Sequence, residues 1–404
     1  MAEKAEKKEK LAVAGRISPE VNKYYGKISK RYMAAGIVAM ILLVLYIIGV
    51  IVFCSDYITY ENLSYLVRDF GTAADESSRN FDKIVYNGGP DTEFAYFRGG
   101  VAVCGTDFYR YYDKNGIQIL YDTPNFSDPT LVASDKYLLI YDMGGTGYAV
   151  YNQLTKIIEK NAEEKIIAAD ISTDGSLVLV TRSHDTKFVV ELYNAAFNRT
   201  MVSYKDSYVL GAAISADGEQ FLVASAVPSS TDFDCEIEIC KRGESDPITK
   251  DTYTHTMPLA ARATDNGFLV LCDTAVYYYN EYGILTSSTP ITGMTLKYAD
   301  IQDGRIAAVG QVNALGSENR LLVLDETGEV LCDEVLHYRF TGVRAGRNLE
   351  DAIAYLCTSD TVIRVKPDGS TESVQAESAD LVDVVPLTNG ALICTKTSAY
   401  QIFD

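Results

Sequence analysis

Apolar and polar positions along the chain fall into three successive patterns. From Met33 to Cys54 the run MAAGIVAMILLVLYIIGVIVFC holds no charged residue over 22 positions. As a helix it reaches about 33 Å, enough for a hydrocarbon core of about 30 Å. In SDYITYENLSYLVRDFG the apolar residues Leu63, Leu66, Val67 and Phe70 recur at three- to four-residue spacing, with Thr59 placed as an N-cap and Gly71 as a stop. That spacing predicts a short amphipathic helix, a stalk. From residue 81 onward the runs are short, apolar or alternating, and broken by Asp-Gly and Asn-Gly, which is strand and turn chemistry.

The strand region repeats itself. ISTDGSLVLVT from Ile171 returns 43 residues later as ISADGEQFLVAS from Ile214. Asp-Gly between such runs predicts a tight two-residue hairpin turn, because glycine and aspartate tolerate positive φ. Comparable turns stand at Gly99, Asp135, Asp174, Asp217, Asn266, Asp303, Asp351 and Asn389, separated by 36, 39, 43, 49, 37, 48 and 38 residues. A second set recurs between them: DKNG at Asp113, NEYG at Asn280, DETG at Asp325 and KPDG at Lys366. Four short strands in about 40 residues is the unit of a β-propeller blade. Eight first-hairpin turns predict an all-β, eight-bladed propeller with an N-terminal transmembrane helix. Seven blades is the alternative, since the Gly99, Asp135 and Asp351 turns are weak.

Closure also follows from the strand count. The last unit supplies three strands (VDVVPL, ALICTK, AYQIFD), whereas FDKIVYN at 81–87 precedes the first full blade without a partner. Pairing the two removes both open sheet edges. The chain then enters on the face of the first-hairpin turns. The second-hairpin loops and inter-blade links, which vary in length (SHDTK at 183–187, VPSSTDFD at 227–234, VNALGSEN at 312–319), look away from the tether. Variable loops are where binding surfaces usually reside. The candidate binding residues are accordingly His184, Asp185, Asp232, Phe233, Asn313 and Glu318.

Charge adds orientation. Residues 1–32 hold nine Lys or Arg against four Glu, and the remainder holds 27 basic and 51 acidic residues. A short basic tail stays in the cytoplasm, which places the propeller outside. A cleaved signal peptide is the competing reading of 33–54, but its apolar stretch would be shorter and would end in small residues. The expected domains are thus 1–32, a basic tail; 33–54, the membrane helix; 55–80, stalk and linker; and 81–404, the propeller. An acidic body with a formal charge of −19 over the whole chain argues against nucleic acid as a partner.

Catalytic motifs do not converge. His184, His255 and His337 fall in separate blades, too far apart to share an ion. Cys235 and Cys240 are the one close cysteine pair, but five residues apart on a strand they point to opposite faces. Acidic turns such as STDGS lack the ligand spacing of calcium loops. No phosphate-binding loop, Gly-x-Ser-x-Gly elbow or His-Glu-x-x-His occurs. Tryptophan is absent, which departs from the quinone-binding and WD-repeat propellers. These readings call for no catalytic residue, cofactor or metal.

The I-S-x-D-G repeat resembles the Ser-x-Asp-Gly blade turn of propellers of the periplasmic translocation-protein type. The full layout, basic tail, single anchor, YENLSYL stalk and tyrosine-rich propeller, resembles a family of single-pass bacterial propeller proteins of Gram-positive anaerobes. That resemblance implies location and architecture and brings no activity with it. The expected function is a non-enzymatic, membrane-anchored scaffold or sensor whose partner is another envelope protein. The alternative is a glycan or cell-wall binding module, with or without hydrolytic activity, prompted by the many tyrosines and carboxylates.

Overall fold

The computed structural model describes residues 19–53, 83–244, 246–313, 318–377 and 380–403. The chain forms two compact units, residues 1–62 and 63–404. The tail before residue 19 and the expected stalk at 55–80 lie outside the described residues.

In the first unit, helix α1 runs Pro19–Phe53 over 35 residues, about 52 Å. Its stretch Gly26–Gly49 is long and apolar enough to cross a membrane, as an anchor or as a signal sequence. Helix α1 starts before the charge-free run: Lys27, Lys30 and Arg31 are helical and precede Met33 by up to two turns.

The second unit contains eight four-stranded sheets. Seven use consecutive strands. The first blade is β2 (Glu93–Phe97), β3 (Gly100–Cys104), β4 (Tyr109–Tyr112) and β5 (Gln118–Asp122), and the third is β10 (Ile166–Ile171), β11 (Leu177–Arg182), β12 (Phe188–Tyr193) and β13 (Arg199–Lys205). All eight expected first-hairpin turns fall between the first and second strands of a blade, the three weak ones included, and the four turns of the second set fall between third and fourth strands.

Closure occurs where the sequence places it. β1 (Ile84–Val85) is the outermost strand of the last blade, in the order β1, β32 (Ser398–Ile402), β31 (Ala391–Thr395), β30 (Leu381–Pro386). Ile84 pairs with Ala399 and Val85 with Ser398. The Tyr86 and Gly88 amides continue the ladder to the carbonyls of Thr397 and Lys396, each at 2.9 Å. The buried Tyr86 hydroxyl lies 2.7 Å from the Thr395 carbonyl and 3.0 Å from that of Ser398. Its ring meets Phe94 of the first blade at 5.6 Å, so one side chain joins last blade to first.

Each middle strand is sandwiched between two neighbours, so it reads as a continuous apolar run. In β11, Leu177 and Leu179 pack toward the second blade, while Val178 and Val180 pack with Val209, Ile214 and Phe221 of the fourth. The same alternation separates Cys235 from Cys240 on β16 (Phe233–Lys241). Cys235 joins the cluster between the fourth and fifth blades, and Cys240 the one between the third and fourth.

One local expectation is corrected. ISTDG and ISADG do not make two-residue turns, because only Gly175 (φ 95°) and Gly218 (φ 69°) have positive φ. The loops are wider, and the aspartate acts through its side chain. Asp174 Oδ1 accepts the Ser176 amide at 2.8 Å and Asp217 Oδ1 the Glu219 amide at 3.0 Å, while Ser215 Oγ donates to Asp217 at 2.6 Å. This is Asx-turn chemistry. Turns with two positive-φ residues stand instead at Arg98-Gly99 (48°, 78°) and Asp303-Gly304 (50°, 78°).

The register of β1 makes a paired prediction. Ile84 is 3% exposed and Val85 69% exposed. Ile84→Asp buries a charge between the first and last blades and is expected to lower stability by about 3 kcal/mol or more, whereas Val85→Asp should stay within about 0.5 kcal/mol. Urea unfolding followed by tyrosine fluorescence separates the two, and equal midpoints would show that β1 does not seal the ring.

Candidate functional site

Two places on the propeller concentrate functional side chains, one on each face. On the second-hairpin face, His184 and Asp185 sit in the third blade, Asp232 and Phe233 in the adjacent fourth, and Asn313 and Glu318 in the sixth. The structure therefore gathers the first four on neighbouring blades and sets the last two apart. His184 Nε2 lies 3.1 Å from Glu164 Oε1, and Asn313 Nδ2 donates to Glu318 Oε2 at 3.4 Å.

Phe233 belongs to a feature that the sequence did not reveal. Its ring stands 6.5 Å from Tyr208, edge to face, and Tyr208 stands 6.4 Å from Phe188. Lys187 Nζ sits 4.0 Å above the Tyr208 ring. Phe188 is part of the core between the third and fourth blades, while Tyr208 keeps 42% and Phe233 38% exposure. The ridge is thus rooted in the core and open at its crest. Its backbone is fixed as well: the Ser229 amide donates to the Asp232 carbonyl at 2.8 Å and the Thr256 amide to the Phe233 carbonyl at 3.1 Å. Asp185, Asp206 and Asp232 are exposed around it.

The other place is the axis. A cavity of about 760 Å³, lined from all eight blades, opens among the ends of the inner strands and the first-hairpin turns. Its charged groups are tied between blades. Arg344 on β26 (Gly342–Ala345) donates from Nη1 to Asp300 Oδ1 and from Nε to Asp383 Oδ1, both at 3.0 Å. It therefore spans three consecutive inner strands, since Asp300 lies on β22 (Thr295–Gln302) and Asp383 on β30. Those two carboxylates hold the Arg344 guanidinium in its charged form against the opposing effect of burial. Asp300 Oδ2 also accepts the Ala345 amide at 2.9 Å, and Asp170 Oδ2 accepts the Ile214 amide at 3.0 Å, in each case from the next blade. Burial pushes the Asp170 carboxyl up to about 6, opposed by the Arg262 guanidinium and by the Ile214 and Ile171 amides. Arg262 itself is exposed to the cavity and makes a hydrogen bond to the Ala261 carbonyl at 3.0 Å.

The axial groups had a signal in the sequence. Ala-Asp-Ile occurs at 169–171 and again at 299–301, each time near the end of an inner strand just before a first-hairpin turn, with the aspartate between two apolar residues. Among the described residues, no group of three or more His, Cys, Asp or Glu side chains converges as a metal site.

A family model described as a family of unknown function, DUF5711, matches residues 80–398. A search of the curated proteins finds no match. Similar solved structures include Sqt1 of Chaetomium thermophilum bound to the N-terminus of the ribosomal protein L10, at 12% identity and a TM-score of 0.51, covering 80% of this chain and 100% of that one. The Cps50 (Swd1) β-propeller domain of Myceliophteria thermophila matches at 10% identity and a TM-score of 0.48, over 74% and 100%. Hydrazine synthase of Kuenenia stuttgartiensis matches at 8% and 0.44, over 71% and 94%. At such identities the likeness with Sqt1 is one of fold.

The Asp170 carboxyl supplies a pH prediction. A carboxyl whose folded pKa exceeds its unfolded value binds a proton more tightly when folded, so its stabilising contribution is present at low pH and lost as pH rises from about 4 through 6. Asp170→Asn keeps an acceptor for the Ile214 amide and carries no such penalty. The variant is expected to gain on the parent by up to about 3 kcal/mol between pH 4 and 7. Thermal melts of both across that range give the difference, and parallel curves would contradict the assignment.

Proposed function

The chain belongs to the DUF5711 family of unknown function, and for this member we propose a non-enzymatic interaction platform, held to a membrane by α1 and displaying its propeller outside the cell. The observation that carries the reading is the ridge Phe188, Tyr208, Phe233. Aromatic residues that keep a third or more of their surface in water, yet are locked by the backbone and by core neighbours, are typical binding anchors. Their acidic surround favours a partner protein that presents an apolar segment flanked by basic residues, because complementary charge speeds encounter and fixes register. The Sqt1 propeller, which holds the N-terminus of ribosomal protein L10, is a precedent for a protein ligand on this fold. The choice of face here rests on the ridge alone.

A second reading, recognition of a glycan or another small polar molecule, has the axial cavity in its favour. Its volume suits a small ligand, and Arg262 offers guanidinium donors to the cavity.

In pull-downs from detergent extracts with the full chain as bait, Tyr208→Ala and Phe233→Ala are each expected to lower recovery of the partner about 10-fold or more, while Tyr121→Ala on an exposed outer strand leaves it unchanged. A partner retained equally by all three would remove the ridge from the reading. Protease added to intact cells is expected to digest the propeller and spare α1; a protected propeller would place it inside. For the second reading, saturable binding of oligosaccharides on a glycan array should drop at least about 10-fold in Arg262→Gln, with a thermal melt confirming that the variant is folded at the assay temperature. Binding that is absent, or indifferent to Arg262→Gln, would dismiss it.

A further inference from the structure

The apolar contact between the third and fourth blades contains one thiol, Cys240, but the contact between the fourth and fifth contains two. Cys235 lies on β16, the third strand of the fourth blade, and Cys272 on β19 (Gly267–Cys272), the second strand of the fifth. They are 37 positions apart, their sulfurs are separated by 3.7 Å, and neither has any exposed surface. Both belong to a single apolar cluster with Ile237, Val270 and Tyr277. The stacked rings of Tyr253 and Tyr277, with centroids 3.8 Å apart, join the two blades in the same cluster. Cys104, Cys240, Cys332, Cys357 and Cys394 are buried as well.

We infer that Cys235 and Cys272 form a disulfide across the fourth and fifth blades when the chain folds under oxidising conditions. A bonded pair of sulfurs is about 2.05 Å apart, so the two sulfurs approach each other by about 1.7 Å when the bond forms. The oxidant is an external disulfide, either a low-molecular-weight one or that of an oxidoreductase. One cysteine thiolate attacks it and forms a mixed disulfide, expelling the first thiolate of the oxidant. The second cysteine thiolate then attacks the cysteine sulfur of that mixed disulfide and expels the other. The sum is one new sulfur–sulfur bond in the propeller, two thiols from the oxidant, and two electrons passed from the cysteines to the oxidant.

Timing follows from burial. The contact with Cys235, together with burial, raises the Cys272 thiol above its ordinary range, and thiolate is the reacting form. Exchange therefore belongs to the period before the two blades close on each other. Once closed, the pair is shielded from both oxidant and reductant. In cells the bond rests on the outward placement proposed above, since a reducing interior keeps thiols free.

The test uses the full chain in detergent, unfolded in urea and refolded with oxidised glutathione, after which every free thiol is blocked by N-ethylmaleimide in fresh urea. Peptide mass spectrometry is expected to find Cys235 joined to Cys272 with a loss of two hydrogens, and the other cysteines alkylated. Chain refolded with a reductant in place of the oxidant should melt about 3–8 °C below chain refolded with oxidised glutathione, a shift absent from the Cys235→Ala/Cys272→Ala variant. Both cysteines alkylated after oxidative refolding would overturn the proposal, and so would either one joined to a different cysteine. The same mapping on chain extracted from cells with the blocking agent present separates the two readings. A pair linked in vitro and alkylated in cells leaves the cross-link standing and counts against outward placement.

Discussion

Burial on both faces is the constraint from which the rest of the propeller follows. A strand such as β11 has Leu177 and Leu179 on one side and Val178 and Val180 on the other, so its sheet needs an apolar neighbour in each direction. A linear row of such sheets ends in two uncovered faces, and only a ring removes both. Tyr86 and Thr395, 309 positions apart, have to meet for the ring to exist. Because closure entropy rises only logarithmically with length, that separation is affordable in equilibrium terms. It does mean that the last blade is completed only after both ends of the domain are available.

Ring closure also creates the axis and its chemistry. The inner edge of each first strand has no further strand beside it, so its backbone groups need other partners. Carboxylates of neighbouring blades supply some of them: Asp170 accepts from Ile214 and Asp300 from Ala345. Arg344 then ties two of the acids together. These groups stitch blade to blade where sheet hydrogen bonding cannot, which accounts for the aspartates on the inner strands.

The division between what the sequence disclosed and what it hid follows sequence distance. Blade number, hairpin positions and the pairing of Ile84 and Val85 with the C-terminal strand were legible because turn residues act locally and recur at a steady interval. The pleat likewise separated Cys235 from Cys240 correctly. The inner geometry of the ISTDG loops was not legible, since an aspartate that accepts the amide two residues on and one that adopts positive φ have the same letter. Arg98 at φ 48° gave no compositional sign at all. The ridge was half visible: Phe233 stood out in a variable loop, but Tyr208 opens an inner strand, and its neighbours Phe188 and Phe233 are 20 and 25 residues away in other elements. Cys235 and Cys272 meet only across a blade interface, which no local pattern encodes.

The two faces differ in how firmly they hold their side chains, and that difference bears on where binding energy can arise. His184 and Asp185, like Asn313 and Glu318, sit in exposed loops whose polar contacts are with one another or with neighbouring surface groups. Ordering such side chains against a partner takes back much of what each contact contributes. Phe233 and Tyr208 are already ordered, by ring contacts that run down to Phe188 in the core and by the backbone bonds on either side of Phe233. An apolar group that covers them therefore gains nearly the full benefit of the surface it removes from water. On the proposed reading His184, Asp185 and Asp232 would form a rim that steers and excludes water and the two rings would bear the affinity, while Asn313 and Glu318 lie two blades away.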